Sequence, residues 1–236
     1  MVRLATLLAL ALLALPMAAT AQCRLALALA LDVSSSVDAR EYDLQRLGLA
    51  AALDQPEIRH AILAGQQGHV ALAVYEWSGF HQHKLHLDWT VMRSHADIDR
   101  AVLALGRMTR SHDNFPTAVG QALGYGASLM RRAPADCTRR VIDLSGDGVN
   151  NYGYGPAAAY RNFPFDGVTV NGLVILGTAE GVLEFYHTQV ARGPSAFVEV
   201  ANGFDDFQTA MTRKLYREIN DLVLGTAPPA PQRPRG

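Results

Sequence analysis

One nonpolar segment constrains the fold of this chain more than any other. In the sequence RLALALALD, no polar side chain stands between Arg24 and Asp32. A strand without a polar face has to be covered on both sides, as the central strands of parallel sheets are. Residues 24–32 therefore predict a buried central strand that ends at a carboxylate.

Strands and helices alternate along the rest of the chain. Further strands are predicted at residues 68–78, 85–90, 139–145, 168–176 and 196–201. Helices are predicted at residues 37–53, 96–108, 117–132, 157–161, 181–190 and 206–224. Residues 85–90 alternate in polarity after a Gly-containing connection, which predicts an antiparallel edge strand. The order predicts an α/β fold: a doubly wound, mostly parallel Rossmann-like sheet with helices on both faces.

The two ends of the chain differ from the part between them. Residues 1–21 are largely apolar and end in Ala-Thr-Ala, which predicts a signal peptide that is cleaved after Ala21. An uncleaved anchor is the alternative, but the apolar run is short and Pro16 breaks it. Residues 226–236 are rich in proline and predict a disordered tail. Residues 22–225 have the length of one domain, and no membrane span is expected after cleavage.

The two cysteines predict an export compartment and a covalent link. Cys23 stands nine residues before Asp32, and Cys137 stands ten before Asp147. If the two strands are parallel neighbours, the cysteines begin them at the same level and can form a disulfide. Two unpaired buried thiols are the alternative. Disulfides persist outside the cytoplasm, so we expect a periplasmic or secreted protein.

Polar side chains collect where strands are predicted to end. Asp32, Ser34 and Ser36 follow the first strand, Thr117 opens a helix, and Asp147 follows a later strand. In a doubly wound sheet these ends meet at one rim. Carboxylates beside neutral hydroxyls form an oxygen site that suits Mg²⁺ or Mn²⁺ better than zinc. The alternative is that the hydroxyls of Ser36 and Thr117 only cap helices.

These residues also carry a family resemblance. The segment from Asp32 to Ser36 resembles the DxSxS motif of von Willebrand factor A-like (VWA) domains, the metal-ion-dependent adhesion site. Thr117 in PTAVGQAL and Asp147 in LSGDGVNN resemble the threonine and second aspartate of that site. The segments YEWSGFHQ, VNG and GPSAFVEVANGFDDF resemble an uncharacterised subfamily of exported bacterial VWA-domain proteins. The resemblance extends over residues 25–224.

The resemblance implies a function in binding and not in catalysis. In VWA domains, a divalent cation at the rim of the sheet is completed by an acidic group of a partner. The expected partner is thus an unidentified protein or other ligand that presents a carboxylate. The net charge of −1 gives no reason to expect a nucleic acid. Gly146 precedes Asp147 where many relatives have Thr-Asp directly after the strand, which leaves the height of Asp147 above the sheet open.

Other patterns give alternatives. LSGDGVNN also resembles the GDGxND motif of haloacid-dehalogenase-like phosphatases, which need a second acid two residues after the nucleophile. That position is Ser34, whose hydroxyl cannot serve as a general acid near neutral pH, and Asn151 replaces the final acid. Such a phosphatase and a purely structural metal site remain the two alternatives. His81, His83 and His86 are interpreted as solvated or edge-strand residues.

Overall fold

The computed structural model describes residues 22–64, 68–177 and 179–220. The predicted signal peptide, residues 1–21, and the predicted tail, residues 226–236, lie outside the described residues. The strands are β1 (Cys23–Asp32), β2 (His69–Trp77), β3 (His83–Met92), β4 (Arg140–Gly146), β5 (Val168–Ile175) and β6 (Val198–Ala201). The helices are α1 (Ala39–Asp54), α2 (Pro56–Leu63), α3 (His95–Gly106), α4 (Val119–Met130), α5 (Pro156–Asn162), α6 (Val182–Phe185) and α7 (Phe207–Ile219).

The strands form one sheet in the order β3-β2-β1-β4-β5-β6. β1 is parallel to both β2 and β4, and β3 is the antiparallel strand at the edge beside β2. The predicted fold class and the predicted edge strand are therefore confirmed. The strand order reverses between β1 and β4, and open α/β sheets bind ligands at the carboxyl ends of strands at such a point.

The alternation of leucine and alanine in β1 matches two different helix layers. The leucine face packs against a core that includes Leu49 of α1, Ile98 of α3 and Phe207 of α7. The alanine face packs against α4, which approaches the sheet closely. At Gly126 of α4, a Cβ atom would lie 2.6 Å from the Tyr75 hydroxyl oxygen. Small residues on both elements thus allow the close packing on this face, and large leucines fill the other.

Some predicted boundaries were wrong by a few residues. The helix predicted at residues 37–53 begins at Ala39, because Asp38 accepts a hydrogen bond from the Glu41 backbone N–H as its N-cap. α2 was not predicted; it follows α1 after a single residue, with Pro56 at its first position. The segment predicted as one helix at residues 181–190 is α6 followed by a π-helical turn, Tyr186–Val190. Residues 221–224 of the last predicted helix lie outside the described residues.

The two cysteines are joined, as predicted. Cys23 in β1 and Cys137 just before β4 form a disulfide across 114 positions of sequence. The bond ties the amino ends of two neighbouring parallel strands together, at the end of the sheet opposite Asp32. Within the part of the chain that the structure describes, no helix is both long and apolar enough to cross a membrane.

Candidate metal centre

The five residues predicted as metal ligands lie together at the carboxyl end of the sheet. Asp32 is the last residue of β1, and Asp147 directly follows β4, the neighbouring strand. Ser34 and Ser36 lie in the loop between β1 and α1, and Thr117 precedes α4. The strand order therefore brings three separate segments of sequence to one point.

A series of hydrogen bonds links these five residues. Ser36 Oγ donates to Asp147 Oδ1 at 2.8 Å, and the Oγ atoms of Ser34 and Ser36 are 3.1 Å apart. Thr117 Oγ1 donates to Ser34 Oγ at 3.2 Å, and the Ser34 backbone N–H donates to Asp32 Oδ1 at 2.8 Å. The extra Gly146 thus does not remove Asp147 from the cluster.

The hydroxyl groups do not cap helices. The N-cap of α1 is Asp38, which forms a capping box with Glu41, and not Ser36. The N-cap of α4 is Ala118, which makes no side-chain capping bond, and not Thr117. The capping alternative for Ser36 and Thr117 is therefore wrong. Ser36 Oγ instead donates to Asp147, and Thr117 Oγ1 donates to Ser34 Oγ.

The two carboxylates are shielded from water, and neither forms an ion pair among the described residues. Asp32 is fully buried and Asp147 is half-buried. Burial, and then the negative charge of Asp147, raise the pKa of Asp32 to about 7. Burial also raises the pKa of Asp147. Among the described residues neither acid forms a salt bridge with an arginine, lysine or histidine. The charge of Arg110 lowers the pKa of Asp32 in part, but its guanidinium is bound to the backbone oxygens of Val33 and Ser34.

A second layer lies beneath the cluster, around Gly146. A Cβ atom at this position would lie 2.6 Å from the Tyr186 hydroxyl oxygen, 2.8 Å from Asp32 Oδ2 and 3.2 Å from Trp77 Cζ2. Asp32 Oδ2, Trp77 Nε1 and the Tyr186 hydroxyl are all buried, without a hydrogen-bond partner within the described ranges. Glycine is required here because any side chain would collide with these groups. Sequence reasoning missed Tyr186, and only the fold brings it to Gly146.

Two further residues that sequence reasoning missed hold the loops in place. Arg110 donates through Nη2 to the backbone oxygens of Val33 and Ser34, at 3.1 and 3.0 Å. Asn151 Oδ1 accepts a hydrogen bond from the Thr117 backbone N–H at 2.9 Å. Asn151 had been considered only as a substitution in the phosphatase motif. Asn151 joins the loop after β4 to the loop before α4. The sequence signal for this role is its position shortly after Asp147.

The histidines of the HQHKLH segment do not form a metal site in the described chain. No group of three or more His, Cys, Asp or Glu side chains there is arranged to hold a metal ion. His86 instead lies with Nε2 3.0 Å from Oε2 of buried Glu76. Burial would raise the pKa of Glu76, but the adjacent His86 imidazole and hydrogen bonds from the Ser111 backbone and Tyr42 outweigh it and lower the pKa. Glu76 thereby holds the loop that carries Arg110.

The donor set at the rim fits a hard divalent cation. It consists of two carboxylates and three hydroxyls, and it contains no nitrogen or sulfur donor. A buried carboxylate oxygen without a partner is costly, and a cation beside the acid offsets that cost. Ser36 is exposed while Asp32, Ser34 and Thr117 are buried, so a cation held there is open to solvent on one side.

Solved structures with the same fold are found among extracellular and surface proteins. Proximal thread matrix protein 1 from the mussel byssus, in a structure with a zinc-occupied MIDAS motif, aligns with a TM-score of 0.63 and 17% identity over 85% of this chain and 49% of that chain. A von Willebrand factor type A structure from Catenulispora acidiphila aligns with a TM-score of 0.55 and 15% identity over 84% of this chain and 42% of that chain. The PilB minor pilin from Streptococcus sanguinis aligns with a TM-score of 0.61 and 12% identity over 87% of this chain and 64% of that chain.

These likenesses establish the VWA fold and no more, because all the identities are low. The chain spans about half of the length of the mussel protein. No curated protein matches the chain in sequence. The family profile of a protein of unknown function, DUF1194, matches residues 22–223. The chain therefore belongs to the DUF1194 family and has a VWA-like fold.

Proposed function

We propose that this protein is an extracytoplasmic binding module that depends on a divalent metal. Asp32, Ser34, Ser36, Thr117 and Asp147 hold Mg²⁺ or Mn²⁺ at the rim of the sheet, directly or through water. An acidic group of a partner occupies the open side of the cation. The chemistry that the cation supplies is electrostatic attraction for that carboxylate.

One observation carries the proposal. Three hydroxyls and two acids from three separate loops meet, although none of the hydroxyls is needed to cap a helix. Neutral oxygens around a cation leave more of its charge available to a partner than additional carboxylates would. The mussel protein with the same fold has a zinc-occupied MIDAS motif, which supports metal binding here without fixing the ion.

Exposed apolar side chains surround the cluster. Five of the eight large apolar side chains that are exposed in the described chain lie on loops at this end of the sheet: Phe80, Phe115, Val149, Tyr152 and Leu176. A cavity of about 360 Å³ beside the cluster is lined by Asp147, Val149, Leu176 and Phe204. Apolar groups gathered in this way mark interaction sites. They favour a protein partner that offers an acidic side chain with apolar neighbours.

The disulfide supports a location outside the cytoplasm, since such bonds form and persist in oxidising compartments. Two proteins with the same fold are the pilus adhesin SpaC from Lactobacillus rhamnosus GG and the PilB minor pilin from Streptococcus sanguinis. We propose a periplasmic or secreted protein on these grounds.

The phosphatase alternative is disfavoured by Ser34. Its hydroxyl takes part in the hydrogen-bonded chain with Ser36 and Thr117, and it stands where those enzymes need an acid. Asn151 is likewise engaged with Thr117. The third interpretation, a structural metal site, predicts metal binding without a partner.

The test is affinity capture on the immobilised chain, residues 22–236, from an extracytoplasmic fraction of the source organism. Each capture is run with Mg²⁺ and with a chelator, on the wild type, Asp32→Ala and Asp113→Ala. Asp113 is the matched control, because it is an exposed acid on the loop before Thr117 and outside the cluster. A panel of phosphate esters is assayed with the same three proteins.

We expect one partner to be recovered with Mg²⁺ by the wild type and Asp113→Ala, and lost with chelator or Asp32→Ala. Thr117→Ala should weaken its recovery, because this change removes a neutral ligand. Metal binding with no metal-dependent partner would favour the structural site. Mg²⁺-dependent turnover of a phosphate ester that Asp32→Asn abolishes would replace the proposal with the enzyme.

A further inference from the structure

The opposite end of the sheet contains a cavity that the rim site does not use. It has a volume of about 380 Å³ and lies at the amino ends of β4 and β5, beside α7 and the loop before β6. Arg139, Asn171, Phe197, Arg217 and Glu218 are among the residues that line it. Its size is within the range of roughly 300 to 1,000 Å³ that is usual for small-molecule sites.

The mouth of the cavity carries positive charge. The guanidinium carbon of Arg217 lies 3.7 Å from the centre of the Phe197 ring, and this residue forms no ion pair within the described residues. Arg139 donates through Nη1 to the backbone oxygen of Glu218 at 3.0 Å. Arg139, Arg140 and Arg217 all line the cavity. Guanidinium groups bind carboxylates through paired hydrogen bonds.

The inner wall of the cavity offers a buried acceptor. Glu218 is 1% exposed, and its Oε1 accepts hydrogen bonds from Lys214 Nζ and Asn171 Nδ2, both at 2.7 Å. Its Oε2 is buried and has no partner in the described chain. Lys214 offsets the charge of Glu218, so this wall does not cancel the positive charge at the mouth. The free oxygen requires a hydrogen-bond donor, because an unpaired buried acceptor is costly.

Burial weakens the negative charge of the adjacent acid near neutral pH. Asp143 lies on β4 with Oδ1 3.1 Å from Lys214 Nζ. Burial raises its pKa to about 8 in spite of the lysine. A cation is poorly suited to the cavity because arginines line it and Lys214 already pairs with Glu218. A simple anion leaves Glu218 Oε2 unsatisfied.

We propose that this cavity is a second ligand site, for a small carboxylate that also carries a hydroxyl group. The carboxylate pairs with Arg217 beside Arg139, and the hydroxyl donates to Glu218 Oε2. The site is independent of the metal, because it lies at the other end of the sheet from Asp32.

The test is calorimetric titration of the chain, residues 22–236, with malate and with succinate, which differ by one hydroxyl group. A chelator is present, so that neither acid can bind through a cation at the rim. We expect malate to bind about tenfold more tightly than succinate, as one hydrogen bond to a buried charged acceptor implies. Arg217→Gln should weaken malate binding by at least about tenfold.

Arg161→Gln is the matched control, since Arg161 is an exposed arginine on α5, away from the cavity, and should leave both affinities unchanged. Asp32→Ala should also bind malate as the wild type does. The proposal is overturned if neither acid binds, if the two acids bind equally, or if Arg217→Gln binds malate like the wild type. The comparison of the two acids on the wild type does not depend on the folding of any variant.

Discussion

Two clusters of acids in the described part of the chain are completed in different ways. At the carboxyl end of the sheet, Asp32 and Asp147 are joined to serine and threonine hydroxyls. On the α7 side, Asp143 and Glu218 surround Lys214, whose Nζ lies 3.1 Å from Asp143 Oδ1 and 2.7 Å from Glu218 Oε1. The second cluster carries its own cation. The rim cluster has neutral serine and threonine hydroxyls in place of such a cation.

The difference indicates what each cluster is for. Lys214 of α7 is fully buried between two acids, so it is a fixed part of the core. The rim cluster has an exposed side at Ser36, and its nearest guanidinium, Arg110, is bound to backbone oxygens. A cation at the rim therefore has to come from solution. An exchangeable ion can be coupled to a partner, whereas a buried lysine cannot.

The largest effect is expected from removing the internal cation. Lys214→Met leaves Asp143 and Glu218 without compensation, and we expect a loss of about 3 to 5 kcal/mol in the free energy of unfolding. Arg213→Met is the control on the same helix, where loss of an exposed pair with Glu199 should cost about 1 kcal/mol or less. Denaturant titration of both variants measures this. Equal costs would show that the buried lysine is not essential to its cluster.

Filling the space at Gly146 should damage only the rim cluster. The added methyl of Gly146→Ala meets the Tyr186 hydroxyl and Asp32 Oδ2, and we expect Mg²⁺ affinity to fall by about 10- to 100-fold. Gly155→Ala is the control, because a Cβ atom there has no atom within 4 Å. Calorimetric titration measures both variants. Unchanged affinity in Gly146→Ala would separate Asp32 from the bound ion.

The stability of the metal-free protein should fall as the pH rises. The pKa of Asp143 is raised by burial to about 8 in the folded state, against about 4 when unfolded. Its contribution to stability is therefore complete below pH 4 and is lost as the pH rises towards 8. Asp143→Asn should reduce this dependence in thermal unfolding with chelator, and the remainder should come from Asp32, whose pKa is raised to about 7. A dependence that stays as steep in the variant would contradict this assignment.

The smallest expected effect is at the exposed serine of the rim. Ser36→Ala removes the donor to Asp147 Oδ1, and we expect Mg²⁺ affinity to fall by about three- to tenfold. Ser35→Ala is the control, as Ser35 is the exposed neighbour outside the hydrogen-bonded chain. Calorimetric titration of Mg²⁺ into both variants measures their affinities. Equal affinities in the two variants would remove Ser36 from the site.

The sequence was sufficient to predict that the rim residues lie together, because they stand at or just after the ends of strands or just before a helix. Asp32 ends a nonpolar run, and neighbouring parallel strands place their ends together. The antiparallel position of β3 also followed from local pattern.

Other features depend on contacts that no local pattern encodes. Lys214 lies in a helix that also carries exposed charged residues, and its burial follows only from the position of Asp143 on β4. Tyr186 meets Gly146 through the packing of α6 and its π-helical turn onto the sheet. α2 is short and follows α1 with almost no connection, so its pattern merged with the preceding helix.

The most direct test of the central claim is calorimetric titration of Mg²⁺ into the metal-free chain. The wild type and Asp113→Ala should each bind one ion with the same affinity, and Asp32→Ala should bind none while it still unfolds cooperatively. If Asp32→Ala binds Mg²⁺ as tightly as the wild type, the acids and hydroxyls at the rim do not hold the cation, and the account is wrong.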